Sequence, residues 1–269
     1  MTIPFTKAHG AKNDFLLTWE VDAPRDGLPR AACAICDRHT GVGADGWMLV
    51  RAVARGTADY DAAIRLFNSD GSEAEISGNG TRCAAAFLFD TGLIAGDTAR
   101  ILTGAGIKSV RLIERKGLAF LFEMNMGRPA LADGELRLAL PLKAGVCEVT
   151  ALDVGNPQCA VFVENFEFDW RALGIEIEAH PHFPKHTNVS FVRPVDEHTI
   201  EVRFWERGAG ETMSSGTGST GAMAAAVLRG AAKSPVRVLT PAGPIDLRWE
   251  DDIYLTGPAE IVAGGEFYF

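Results

Sequence analysis

Runs of lysine and arginine are absent from this 269-residue chain, whose formal net charge is −9. With a pI near 5.2, it argues against a nucleic-acid surface, which needs clustered positive charge. Long apolar runs are missing too. None approaches a membrane span, and the opening MTIPFTKAHG lacks the charged-then-apolar pattern of a signal peptide. A cytosolic protein with no membrane partner is expected. Cysteine is scarce and odd in number: Cys33, Cys36, Cys83, Cys147 and Cys159. That count fits reduced thiols better than a disulfide framework. Cys33 and Cys36 form a single CxxC with only His39 nearby, too few ligands for a closed zinc site. No metal is expected, and these cysteines read as small hydrophobes on a short helix. Neither a GxxxxGK[ST] phosphate loop nor the spacing of a dinucleotide fingerprint is present.

What the chain does have is a near-repeat. Ser77-Gly78-Asn79-Gly80-Thr81 opens the apolar run Cys83–Leu88, and Ser215-Gly216-Thr217-Gly218-Ser219 opens Ala222–Leu228. The serines lie 138 residues apart, about half the chain. A Gly-x-Gly pair entering a small-residue helix leaves backbone N–H groups free at the helix start, which favours an anion. Two such starts at matching places suggest one carboxylate gripped from both sides. The repeat reaches further. Phe67–Glu73 and Phe204–Glu211 each read as strand, Gly-containing turn, then a glutamate four residues before the serine. Asn13 and Asn156 are 143 residues apart, a similar separation. Duplicated lobes follow, 1–127 and 128–269, joined near Met126–Pro129, with the last strand a candidate to pack back on the first lobe.

Hydrophobic residues at 47% and charged residues at 23% match a soluble globular chain. Strands are predicted at Ile3–Lys7, Asp14–Trp19, Trp47–Val53, Ala63–Phe67, Lys108–Ile113 and Ala119–Met124. In the second half they are predicted at Cys159–Val163, Asn188–Val192, Ile200–Trp205, Val236–Leu239, Ile245–Trp249 and Ile253–Thr256. Helices are predicted at Pro29–Arg38, Asn79–Asp90, Trp170–His180 and Thr217–Arg229, with Gly92 and Gly230 as C-terminal stops for the repeat helices. The class is α+β.

Asn13, Asn68, Asn156 and Asn188 sit at strand ends, where asparagine also serves turns. Glu206-Arg207 stands out more. An acid and a guanidinium side by side, just before Gly208-Ala209-Gly210, can hold an ammonium and a carboxylate together.

Six strings carry a resemblance: HGAKNDF (His9–Phe15), DRHTGVGADG (Asp37–Gly46), FNSDGSEAEISGNGTRC (Phe67–Cys83), GNPQC (Gly155–Cys159), ERGAGET (Glu206–Thr212) and SGTGSTGA (Ser215–Ala222). Together with LTGPAEIV (Leu255–Val262), the chain resembles the diaminopimelate epimerases in order and nearly throughout. The resemblance implies two pseudo-symmetric lobes, each a mixed, largely antiparallel sheet wrapped around a central helix, with a ligand cleft between them. It implies a homodimer, a small dicarboxylic amino acid as substrate, and no pyridoxal phosphate, other cofactor or metal. The family's reaction interconverts LL- and meso-diaminopimelate, a lysine and cell-wall precursor, through two cysteines acting as acid and base at the α-carbon. By that resemblance the substrate carboxylate meets N–H groups around Gly78-Asn79 and Gly216-Thr217. Asn13, Asn68 and Glu206 lie near the reacting amine, and Asn68, Asn156, Asn188 and Arg207 read the distal end.

The chain departs from the family at the reacting groups. Ser77 and Ser215 stand where the cysteines belong, and Gln158 stands where the family usually has histidine. A thiol is half ionised near pH 8.5 and lower at a helix start, whereas a serine hydroxyl needs an adjacent base. Gln158 cannot be that base, and Glu206 or Glu211 are the candidates. Three readings stand: serines introduced to trap a ligand, a natural relative with weakened or altered isomerase or dehydratase chemistry, and a non-catalytic amino-acid binder.

Overall fold

The computed structural model describes residues 1–54 and 56–269. The chain divides into two compact units, one of Met1–Met124 with Gly257–Phe269 and one of Asn125–Thr256.

Both units run through the same order of strand pairing. In the first, Thr2–Gly10 pairs antiparallel with Asn13–Trp19, which pairs parallel with Gly46–Ala52 across helix α1 (Leu28–Cys36). Gly46–Ala52 then pairs antiparallel with Ala62–Asn68, which pairs parallel with Thr98–Thr103 across helix α2 (Gly78–Asp90). Two antiparallel steps to Gly106–Lys116 and Ala119–Gly127 finish the series. In the second unit Gly145–Asp153, Pro157–Phe162, Asn188–Asp196, Thr199–Glu206, Val236–Thr240 and Gly243–Trp249 follow the same antiparallel and parallel sequence. Helices α3 (Trp170–Glu178) and α4 (Gly216–Leu228) span its two parallel crossovers. The last strand, Ile253–Tyr268, begins in the second unit against Gly243–Trp249 and ends in the first against Thr2–Gly10.

Sequence chemistry explains the two kinds of helix. Helices α1 and α3 are one-sided and cover one sheet face. Beneath α1 lie Ile3, Leu16, Trp47 and Phe67, and beneath α3 lie Val149, Val161, Val189 and Phe191. Each fully buried side chain of this size contributes about 1.5–3 kcal/mol. The Trp47 indole N–H is satisfied by Thr18 Oγ1 at 2.9 Å. In contrast, α2 and α4 are buried on all faces for most of their length. Their alanines and glycines let strands approach from every side, which a helix of large side chains would prevent. Both end as the sequence predicts, with Gly92 and Gly230 at positive φ. The amides of Leu93 and Ala231 reach back to the carbonyls of Leu88 and Ala226 at 3.1 and 2.8 Å, closing each helix.

All four predicted helices and twelve predicted strands are present, within a few residues except where strands run on. The last strand continues past Thr256 to Tyr268. Strands not predicted are Thr98–Thr103, Leu138–Leu142 and Gly145–Asp153, with three short pairings at Glu73–Ala74, Ala130–Leu131 and Gly210–Thr212. Leu138–Leu142 hides behind Pro141, which removes a ladder donor and is tolerated because the strand lies at an edge of its unit's sheet.

Candidate active site

Ser77 and Ser215 are the N-caps of α2 and α4. Their backbones are nearly identical, φ −128° and ψ 123° against φ −136° and ψ 123°. Each hydroxyl accepts a hydrogen bond from the amide three residues on, Gly80 N at 3.1 Å and Gly218 N at 3.0 Å. Such a cap satisfies one orphan amide, and the residues between that amide and the cap carry the first N–H groups of the helix, the end that favours an anion. Gly78-Asn79 and Gly216-Thr217 are those residues, and all four are buried.

Just before each helix, the chain makes the same turn. Glu73–Ala74 folds back on Ala62–Asn68, pairing Glu73 with Phe67, and Gly210–Thr212 folds back on Thr199–Glu206, pairing Glu211 with Trp205. The two glutamates four residues before the serines are therefore equivalent, and each is held by an arginine. Arg65 donates two 3.0 Å bonds to Glu73, and Arg171 donates at 2.6 and 2.8 Å to Glu211. Glu211 is thus committed to Arg171. The carboxylate that reaches a serine is Glu206, whose Oε2 accepts from Ser215 Oγ at 3.0 Å while Oε1 accepts from Thr212. Ser215 is 3% exposed, while Glu206 is half-buried, so the contact itself is partly buried. Among the described residues, Ser77 Oγ bonds the Gly80 amide alone.

The asparagines fall into small clusters. Asn13 Nδ2 donates to Asp45 Oδ2 at 2.6 Å, and its Oδ1 accepts from Asn79 Nδ2 at 3.2 Å. Asn68 Nδ2 donates to Ser72 Oγ at 3.0 Å, within the turn that precedes α2. In the second unit Gln158 Nε2 donates to Asn156 Oδ1 at 2.8 Å, and Asn156 Nδ2 reaches Thr217 Oγ1 at 3.4 Å. Gln158 Oε1 is buried without a hydrogen-bond partner among the described residues. Asn188 bridges the Pro157 carbonyl and the Arg207 amide, each at 3.0 Å, and Arg207 donates to the Lys185 carbonyl at 3.1 Å.

Sequence reasoning passed over the acids and bases around Asn13. Asp14 accepts from Arg38 and lies 3.0 Å from Lys7 Nζ. Burial alone would raise its carboxyl, but the Arg38 and Lys7 contacts outweigh burial and hold it below the usual range. Arg38 also bonds Asp45, so two carboxylates share one guanidinium. The only hint in the sequence was DRHTGVGADG, whose Arg38 and Asp45 come together across a loop. The buried thiols offer no substitute for the serines, since burial pushes Cys36 and Cys83 up to about 12 and Cys159 higher still.

Comparison with known proteins decides the family. The diaminopimelate epimerase pattern matches residues 5–132 and 150–262. This chain belongs to the diaminopimelate epimerase family. It is 40% identical over 279 aligned positions to the diaminopimelate epimerase of Pelotomaculum thermopropionicum, covering 98% of each chain. It is 39% identical to diaminopimelate epimerase 1 of a Nostoc species, covering 99% of this chain and all of that one. Among solved structures, the fold is similar to a hydroxyproline epimerase from Agrobacterium vitis, with TM-score 0.74, 16% identity, and 98% and 92% of the chains covered. A Bacillus anthracis phenazine biosynthesis protein of the PhzF family aligns over the full length of both, with TM-score 0.69 and 15% identity. At these identities the likeness is one of fold alone.

Proposed function

We propose that this chain binds diaminopimelate and moves a proton at its α-carbon without pyridoxal phosphate or metal, as a slow epimerase of its family. Ser77 and Ser215 hold the acid and base positions. The amides of Gly78-Asn79 and Gly216-Thr217 take the α-carboxylate, where helix-start dipoles favour the charge that develops on proton loss. Asn13, Asn68 and Glu206 serve the amine end, and Asn68, Asn156, Asn188 and Arg207 serve the distal amino-carboxyl end. The reading also takes in the family's homodimer and its place in lysine and cell-wall precursor synthesis.

The observation that carries it is the 3.0 Å contact from Ser215 Oγ to Glu206 Oε2. As Ser215 Oγ takes the α-proton, its own proton passes to Glu206, so no free alkoxide has to form. The Gly218 amide steadies the same oxygen. Among the described residues Ser77 Oγ has a capping amide and no carboxylate, which makes its face the slower one.

A second reading, a non-catalytic binder of the same amino acid, is favoured by that lack at Ser77 and by Gln158 in place of a basic side chain. Proton NMR of LL-diaminopimelate in deuterated buffer separates the two, run beside a Ser77→Cys/Ser215→Cys variant. Loss of the α-proton signal with the serine protein supports the slow epimerase. Loss only with the cysteine variant supports the binder. No loss with either, and no thermal stabilisation by diaminopimelate, would sink both.

A further inference from the structure

Arg82 lies one turn into α2 and is 0% exposed. Its three contacts are all to neutral oxygens: Asn79 Oδ1 at 2.6 Å, the Gly78 carbonyl at 3.2 Å and the Pro258 carbonyl at 3.2 Å. Among the described residues no carboxylate pairs with it. This is an expensive arrangement. A buried charge without a counter-charge is disfavoured, and a cation near a helix N-terminus opposes the helix dipole. Burial pulls its pKa down to about 10, which still leaves the guanidinium charged near neutral pH. Even its space is kept for it. A Cβ added at Gly257 would sit 3.0 Å from the Arg82 Cζ.

The contacts also impose a direction. Arginine only donates and aspartate only accepts. Between Arg82 and Asp45 stand two amides, in the order Arg82 to Asn79 at 2.6 Å, Asn79 to Asn13 at 3.2 Å, and Asn13 to Asp45 at 2.6 Å. The fixed ends leave each amide a single orientation, because turning either one sets donor against donor or acceptor against acceptor.

We propose that Arg82 is the fixed counter-charge for a carboxylate bound at the start of α2, and that it positions Asn13 through Asn79. The inference rests on the reading of α2 as a carboxylate site given above. The bound anion supplies the negative charge that the folded chain withholds from Arg82. Arg82 itself stays behind the helix turn, acting through the first-turn amides and the two asparagines.

The test measures LL-diaminopimelate binding by calorimetry and the ligand-free Tm for the full chain and for Arg82→Met, Asn79→Asp and Asn79→Ala. Arg82→Met is expected to weaken binding at least about tenfold, the scale of one partly screened charge. Its ligand-free Tm should hold or rise, since an unpaired buried charge is removed. A merely structural arginine gives the opposite pattern, a lower Tm with affinity retained, and that result overturns the proposal. Should Arg82→Met fail to fold, the Asn79 pair decides. Asn79→Asp supplies an internal counter-charge, so it should have a higher Tm and weaker binding than Asn79→Ala. Equal affinities for those two overturn the proposal. Failure of the unaltered chain to bind diaminopimelate overturns the reading of α2, and the role of Arg82 with it. Binding that is unaffected by Arg82→Met overturns the role of Arg82 alone.

Discussion

Asn68 occupies in the first unit the place that Glu206 occupies in the second. Phe67 pairs with Glu73 and Trp205 with Glu211, so the next residue on each strand is Asn68 in one and Glu206 in the other. The duplicated turn therefore presents a carboxylate to Ser215 and has an amide at the matching position ahead of Ser77. A neutral amide cannot accept a proton at any working pH. The two halves share a backbone and differ in chemistry.

That difference yields the first prediction. Ser215→Ala and Glu206→Gln should each lower α-proton exchange by about 10²-fold or more, the usual scale for losing a general base. Ser77→Ala should cost less than tenfold in exchange while abolishing net epimerisation, because inversion needs a proton delivered to the opposite face. Deuterium uptake and stereochemistry are read from the same NMR samples. Equal losses for Ser77→Ala and Ser215→Ala would contradict the asymmetry.

The distal end gives a second. The Arg207 amide is fixed by Asn188 Oδ1 at 3.0 Å, and one guanidinium nitrogen is steadied by the Lys185 carbonyl at 3.1 Å. A guanidinium there suits a carboxylate. Arg207→Met should weaken diaminopimelate at least about tenfold more than it weakens lysine, which lacks the distal carboxylate, a charge-assisted contact being worth about 1.5–3 kcal/mol. Calorimetry on both ligands checks this, and equal losses would remove Arg207 from that role.

The glycines of the two caps should not tolerate substitution equally. A Cβ at Gly218 would stand 2.8 Å from Phe204 Cδ1 and 2.9 Å from Ser215 Cβ. A Cβ at Gly80 would meet Met48 Cε at 2.8 Å and Ser77 Cβ at 3.2 Å. The methionine methyl swings aside and leaves Ser77 Cβ at 3.2 Å and the Phe15 ring at 3.3 Å, whereas at Gly218 the buried Phe204 ring and the capping Ser215 both crowd the new methyl and cannot move away. Gly218→Ala should cost about 1–3 kcal/mol in urea unfolding, within the range for overpacking. Gly80→Ala should cost clearly less.

Much of this was written in the sequence, because duplication is visible wherever a special residue is needed twice. Serine caps, paired glycines and C-terminal glycines are local requirements, so both central helices could be placed closely. The clusters around Asn13 and Asn188 were not legible. Asn13, Asp45 and Asn79 are far apart in the chain and meet only because parallel crossovers bring their strand ends and a helix start together. Glu206 and Glu211 looked equivalent as candidates for the base. Only the register of the returning strand shows that Glu211 turns to Arg171 while Glu206 turns to Ser215. Arg82 carries no local signal in the sequence, and nothing near it reveals that its side chain runs into the core beneath Gly257.

Asp14 fixes an acid limit for the first unit. Its folded carboxyl lies below the usual range, so its contribution is fully present above the unfolded pKa of about 3.9. The contribution is lost as pH falls through the folded value. Asp14→Asn should therefore be less stable than the unaltered chain from pH 7 down to about 4, with the gap closing below that. Thermal unfolding at several pH values tests the sign. A gap that widened on acidification would mean that burial, not Arg38 and Lys7, controls this carboxyl.

Thiols introduced at the two caps should report the same asymmetry directly. A cysteine at position 77 would accept from the Gly80 amide at a helix start and have Arg82 one turn away, all of which favour a thiolate. A cysteine at position 215 would gain the corresponding amide but face the Glu206 carboxylate, which reached the serine at 3.0 Å, in a position only 3% exposed. A like charge and burial both disfavour ionisation. Ser77→Cys should titrate below the ordinary thiol value of about 8.5 and react quickly with iodoacetamide at pH 7. Ser215→Cys should titrate higher and react more slowly, and Glu206→Gln should speed it. The native thiols at Cys36, Cys83 and Cys159, buried and pushed upward, should stay silent on that timescale, leaving exposed Cys33 and half-buried Cys147 as the background to subtract. If the two introduced thiols ionise alike, Glu206 does not govern position 215, and the carboxylate relay proposed for Ser215 fails.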